Sequence, residues 1–185
     1  MKKADTLRLT LAALFVALGL VLPFLTGQIP EIGSMLLPMH LPALLCGFVC
    51  GWPCGLAVGF VMPLLRSLIF GMPPLMPTAI AMAFELGAYG ALAGFLYERL
   101  PKKQTRVFMS LIGAMVVGRI IWGLVSWALA ALFLPNAFTL PMFFAGAFVK
   151  AWPGIAAQII AVPLIVMALE KARLIPLNVC KSTNG

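Results

Sequence analysis

Arg66, Glu85, Arg119 and Lys150 are ionisable residues set within or against long runs of hydrocarbon side chains. A charge placed mid-bilayer costs roughly 2.5–3.5 kcal/mol, so residues that carry one usually face a bundle interior or a water-filled cavity. The chemistry expected of them is therefore capture or passage of something polar between helices. Three of the four are cations. If Glu85 neutralises one, two remain, and an anionic group such as a carboxylate would complement them. Arg66 and Lys150 are the stronger candidates for ligand contact, although long cations near helix ends also reach out to headgroups. Glu85 and Arg119 read equally as a salt bridge locking two helices or as substrate contacts. His40 stands at the start of an apolar run, where it either meets the ligand or caps a helix. Trp122 and Trp152, near Arg119 and Lys150, offer faces on which a ring can stack. Tryptophan also gathers at membrane interfaces, a reading that suits Trp127 and Trp52. Asn136 and Gln158 are further polar candidates.

Other chemistries find less support. Cys46, Cys50 and Cys54 recur every fourth residue, but zinc sites use closely spaced pairs with a second cluster. The thiols read as small residues on a helix face, so no metal or cofactor is expected. His40 is the single histidine. With no Gly-x-Ser-x-Gly and no His-Glu-x-x-His, neither serine nor zinc hydrolysis is indicated, and no catalytic residue is assigned. The chain also lacks a Gly-x-x-x-x-Gly-Lys-Ser/Thr phosphate loop.

These residues must be positioned by membrane helices. Of 185 residues, 63% are hydrophobic and 10% charged, against about 25% charged in soluble domains. There is too little polar side chain to cover a water-facing surface, and the length suits one integral membrane domain, 1–185. The net charge of +8 would suggest nucleic acid in a soluble protein. Here the positives cluster beside apolar runs, which is a topology signal instead. The first apolar run ends without a small-residue cleavage site.

A membrane helix needs about 20 apolar residues. The pattern predicts an all-α bundle of six spans at about 7–25, 40–50, 55–70, 78–97, 107–134 and 142–169, the last kinked at Pro153 and Pro163. Basic residues lie at the N-terminus, between the fourth and fifth spans, and in the tail; the loops after the first, third and fifth spans contain none. Six spans with both termini cytoplasmic place every basic segment on one side. Arg66, Glu85, Lys150 and His40 then fall toward the outside, with Arg119 near mid-depth. That distribution suits a pocket loaded from outside.

Residues 41–60 read LPALLCGFVCGWPCGLAVGF, with Gly47, Gly51, Gly55 and Gly59 at every fourth position. Such spacing lets helix backbones approach closely. The combination of a proline and two leucines, a glycine, a tight Gly-x-Pro turn and two further glycines resembles the signature of the substrate-binding S-components of energy-coupling factor (ECF) transporters. Cys46 stands where that signature has alanine, and Trp52 separates Gly51 from Pro53. Ala13 and Ala17 form an Ala-x-x-x-Ala stripe like the one by which S-components dock on their coupling subunit. The resemblance implies import of a vitamin or related micronutrient across a bacterial cell membrane. Energy would come from partners, namely a transmembrane coupling subunit and two cytoplasmic ATPases. Pantothenate is one carboxylate candidate; the hydroxymethyl-pyrimidine precursor of thiamine is a neutral one. A stand-alone secondary transporter is the alternative, although no internal repeat of the kind common in those folds is evident.

Overall fold

A computed structural model describes residues 3–26, 35–101, 105–133, 141 and 145–172. The regular structure among them is helical. Six helices follow in order: α1 Lys3–Val21, α2 His40–Cys50, α3 Trp52–Phe70, α4 Ile80–Arg99, α5 Thr105–Phe133 and α6 Trp152–Lys171. A short 3-10 turn at Leu22–Thr26 and wider π-type turns at Leu75–Ala79 and Ala145–Val149 precede or follow them.

Five of the six are long and apolar enough to cross a membrane. The exception is α2, whose 11 residues span about 16 Å at 1.5 Å per residue, against a hydrocarbon core of about 30 Å. The expected sixth crossing is thus half-length, although its residues His40 and Pro42–Cys50 are all buried. Two helix starts also differ from the expected spans. Trp52-Pro53 and Trp152-Pro153 open α3 and α6, each with proline in the first turn. A proline there gives up a donor the helix would leave unpaired anyway. Pro153 consequently starts a helix rather than kinking one, and α6 begins at Trp152 instead of near residue 142. Pro163 does lie inside α6, as Pro63 does inside α3.

Helix α4 is central and packs against α2, α3 and α5, while α1 covers α2 and α3, and α6 rests on α2 and α5. The glycines of the 41–60 segment explain the tightest of these contacts. A Cβ on Gly55 would stand 2.5 Å from the Gly90 carbonyl oxygen, and one on Gly59 would stand 2.2 Å from that of Leu86. From the other side, a Cβ on Gly94 would stand 2.6 Å from the Trp52 nitrogen. Backbone meets backbone along this seam, which admits no side chain. Around it, Phe15, Leu44, Phe48, Tyr89, Leu111 and Val162 join five helices in one apolar core. A smaller cluster of Met39, Ala43, Met62 and Leu86 adjoins α2, α3 and α4.

Candidate functional site

The glycine seam sets α4 against α2 and α3, and so fixes where Glu85 and Tyr89, one turn apart, project. Both are buried, Glu85 at 1% exposure. Arg119 of α5 brings Nη1 to 2.9 Å from Glu85 Oε1. His40, the first residue of α2, brings Nε2 to 3.4 Å from the same oxygen, in an alignment that falls short of a hydrogen bond. The His40 ring meets the Tyr89 ring edge-on, with centroids 5.2 Å apart. Gly118 makes room for Tyr89, since a Cβ there would stand 2.1 Å from the ring. Four side chains from α2, α4 and α5 thus form one buried polar cluster.

This cluster is paired in charge but open in hydrogen bonding. Both His40 ring nitrogens, the Tyr89 hydroxyl and Arg119 Nε and Nη2 are buried without a hydrogen-bond partner among the described residues. Buried polar groups in native proteins are overwhelmingly satisfied, so such a concentration marks a place where a ligand or water belongs. Nε and Nη2 form one edge of the planar guanidinium. That edge presents two near-parallel donors, the arrangement that grips a carboxylate bidentately. The edge lies away from the nitrogen already committed to Glu85.

Gln158 of α6 joins the cluster through the backbone. Its Nε2 lies 3.5 Å from the Leu37 carbonyl oxygen, which also accepts the His40 N–H at 3.1 Å. Leu37 sits in the left-handed region at φ 50°, and the chain there presses so close to α6 that a Cβ on Gly154 would stand 2.6 Å from the Met35 oxygen.

The other expected site residues are placed differently. Arg66 is buried but turns toward α1, where Nη1 donates to the Leu20 carbonyl oxygen. Its guanidinium lies 5.1 Å from the Phe24 ring centroid and 5.3 Å from that of Phe70. A carbonyl near a helix C-terminus and two π faces together offer a cation a favourable setting. Lys150 lies in the turn before α6 with its side chain exposed, because the helix begins at Trp152, two residues beyond Lys150. Trp152 is 64% exposed and Trp127 63%, as suits tryptophans at a lipid interface. Trp122 is half-buried and lies against Gly146. Ala13 and Ala17 are exposed on α1, while Ala12 turns inward. Asn136 lies outside the described residues. No group of three metal-ligating side chains occurs among the described residues.

A second polar cluster was not anticipated. Glu170 of α6 accepts hydrogen bonds from Tyr97 of α4 and Arg106 of α5. Arg106 also donates to the Tyr97 hydroxyl at 2.9 Å and stacks over its ring at 4.1 Å. The cluster fastens three helix ends beside the basic loop.

A family described as "ECF transporter, substrate-specific component" matches residues 7–170. No curated protein and no solved structure matches the chain.

Proposed function

The chain belongs to the substrate-specific components of ECF transporters, and from that premise we propose that it captures a small polar micronutrient at the His40–Glu85–Arg119 cluster. It is a membrane protein of a transport family rather than an enzyme family. The observation that carries the proposal is the unpartnered Nε and Nη2 edge of buried Arg119. A ligand carboxylate fits that edge, with Glu85 holding the guanidinium in place and Tyr89 and His40 supplying further polar contacts. Arg66, expected to touch ligand, serves in this reading to frame the site, because Nη1 donates to Leu20 and its charge lies against Phe24 and Phe70. Lys150, Trp122 and Trp152 are assigned in this reading to ligand entry rather than to the cluster itself.

The proposed setting is a bacterial cell membrane, with six crossings and both termini cytoplasmic, so that the basic segments share one side. Energy comes from a transmembrane coupling subunit and two cytoplasmic ATPases. The exposed Ala13–Ala17 face of α1 is the docking surface for the coupling subunit.

The decisive experiment is purification from cells grown in rich medium, followed by mass spectrometry of the retained small molecule. A carboxylate vitamin such as pantothenate is expected. Preference for a cation such as thiamine over every carboxylate would overturn the ligand class. Uptake by cells should vanish when the coupling ATPases are deleted; undiminished uptake would favour a stand-alone transporter instead.

A further inference from the structure

We infer that Gln158 selects the ligand by accepting a hydrogen bond from it. The ligand class is then a molecule that joins an acceptor pair for Arg119 to an N–H or O–H donor for Gln158. This inference rests on the capture reading above and adds a residue and a requirement to it.

Gln158 is 2% exposed, and the orientation of its amide is dictated by chemistry. A carbonyl oxygen can only accept, so the group facing Leu37 at 3.5 Å must be the NH2 and not the amide oxygen. Turning the amide over would set two oxygens against each other. Oε1 is therefore directed away from Leu37. It is buried and accepts no hydrogen bond among the described residues. Such an acceptor opposes folding until a donor reaches it.

The position of Gln158 ties it to the cluster. It lies one turn after Gly154, the residue on which the 35–36 backbone rests, so both belong to the face of α6 turned toward the start of α2. Leu37, whose carbonyl takes the Gln158 amide, is three residues before His40, whose ring contacts Glu85 and Tyr89. The cluster thus offers donors on Arg119 and, one carbonyl away, an acceptor on Gln158. A simple alkyl carboxylate satisfies the first and leaves the second unpaired. A carboxylate that also carries a hydroxyl or amide N–H satisfies both. A site built to accept a ligand hydrogen bond rejects analogues that lack it, because its own buried group is left without a partner.

The test uses purified full-length protein loaded from yeast extract. The retained molecule is identified by mass spectrometry and then bound, alongside its O- or N-methylated derivative, to wild type and to Gln158→Met by titration calorimetry. In wild type, methylation of the recognised donor should weaken binding roughly 10- to 100-fold. In Gln158→Met the unmethylated molecule should lose a similar factor, and the two molecules should bind almost equally. Equal affinity of both molecules for wild type overturns the inference, and that measurement needs no variant to fold. If Gln158→Met weakens both alike and keeps the discrimination, Gln158 is structural and the inference fails, while capture by the cluster stands. If wild type retains nothing from the extract and none of its components binds, the capture reading falls and the inference falls with it.

Discussion

Arg119 reaches across from α5 to set Nη1 2.9 Å from Glu85 Oε1 on α4, in a setting where both side chains are buried. Two opposite charges in hydrocarbon cancel at long range, but each remains expensive without the other. Removing one member of such a pair costs about 3–5 kcal/mol, whereas replacing both with apolar residues can be neutral. Glu85→Gln and Arg119→Met should each lower the unfolding temperature in detergent. The double variant should recover most of that loss. Ligand retention should be lost in all three. A double variant that still retained ligand would assign the pair to structure alone.

Gly90→Ala should be poorly tolerated, because its new Cβ would meet the Gly55 carbonyl oxygen at 2.2 Å. Backbone cannot move aside as a side chain can, and overpacking of this kind costs typically about 1–3 kcal/mol. Gly113→Ala is the control. Its nearest neighbour is the mobile tip of Leu96 at 3.0 Å, so its yield and unfolding temperature should match wild type. Comparable behaviour of the two variants on gel filtration would show that the seam is looser than described.

Arg66 offers a way to separate framing from binding. Arg66→Met removes the hydrogen bond to Leu20 and both aromatic contacts. The ligand-free protein should unfold earlier, by about 1–3 kcal/mol for a charged hydrogen bond lost from a buried position. The stabilisation added by saturating ligand should be unchanged. A shrunken ligand increment in thermal-shift measurements would return Arg66 to the list of direct contacts.

Glu170→Gln should loosen α6 at the end beside the basic loop. Glu170 is 26% exposed, so the loss should be modest, about 1 kcal/mol. Hydrogen–deuterium exchange is the suitable measurement, with faster exchange expected over the last turns of α6 and the first turn of α5. Unchanged exchange there would mean that Tyr97 and Arg106 hold the helix ends without Glu170.

Ala13→Trp and Ala17→Trp test the coupling surface. Both alanines are exposed on α1, so the larger side chains should leave folding and ligand retention intact. Uptake in cells that contain the coupling subunit and ATPases should fall at least tenfold, since bulk prevents the close helix approach that small residues permit. Normal uptake would place docking on another face.

Hydropathy made the helices legible because lipid requires about 20 apolar residues per crossing. It misjudged the starts of α3 and α6, where Trp-Pro reads as a turn in one direction and as a helix opening in the other. The glycines at 47, 55 and 59 announced a close approach. Their partner helix stayed hidden, because the pairing with Gly90 and Gly94 is long-range. Glu85 and Arg119 were recognisable by charge alone. Gln158 was harder to weigh, because its tie to His40 runs through the Leu37 carbonyl and a backbone oxygen has no sequence signature. Arg66 was hard to weigh for a related reason. Its charge invited an anion, but a helix-end carbonyl and two rings answer it. Lys150 falls in an exposed turn because α6 starts at Trp152.

The seam between α3 and α4 has a practical consequence for anyone seeking to watch this protein at work. Contacts made by backbone have no rotamers to exchange, so these two helices form a rigid ruler. Spin labels on their lipid-facing positions, such as Val61 and Phe95, should keep one narrow distance distribution whether ligand is present or absent. A label moved to α6, which packs through Val162 and Val166 and is tied by Gln158 and Glu170, can then be read against that fixed baseline. Any broadening it shows reports motion of the sixth helix, not flexing of the frame.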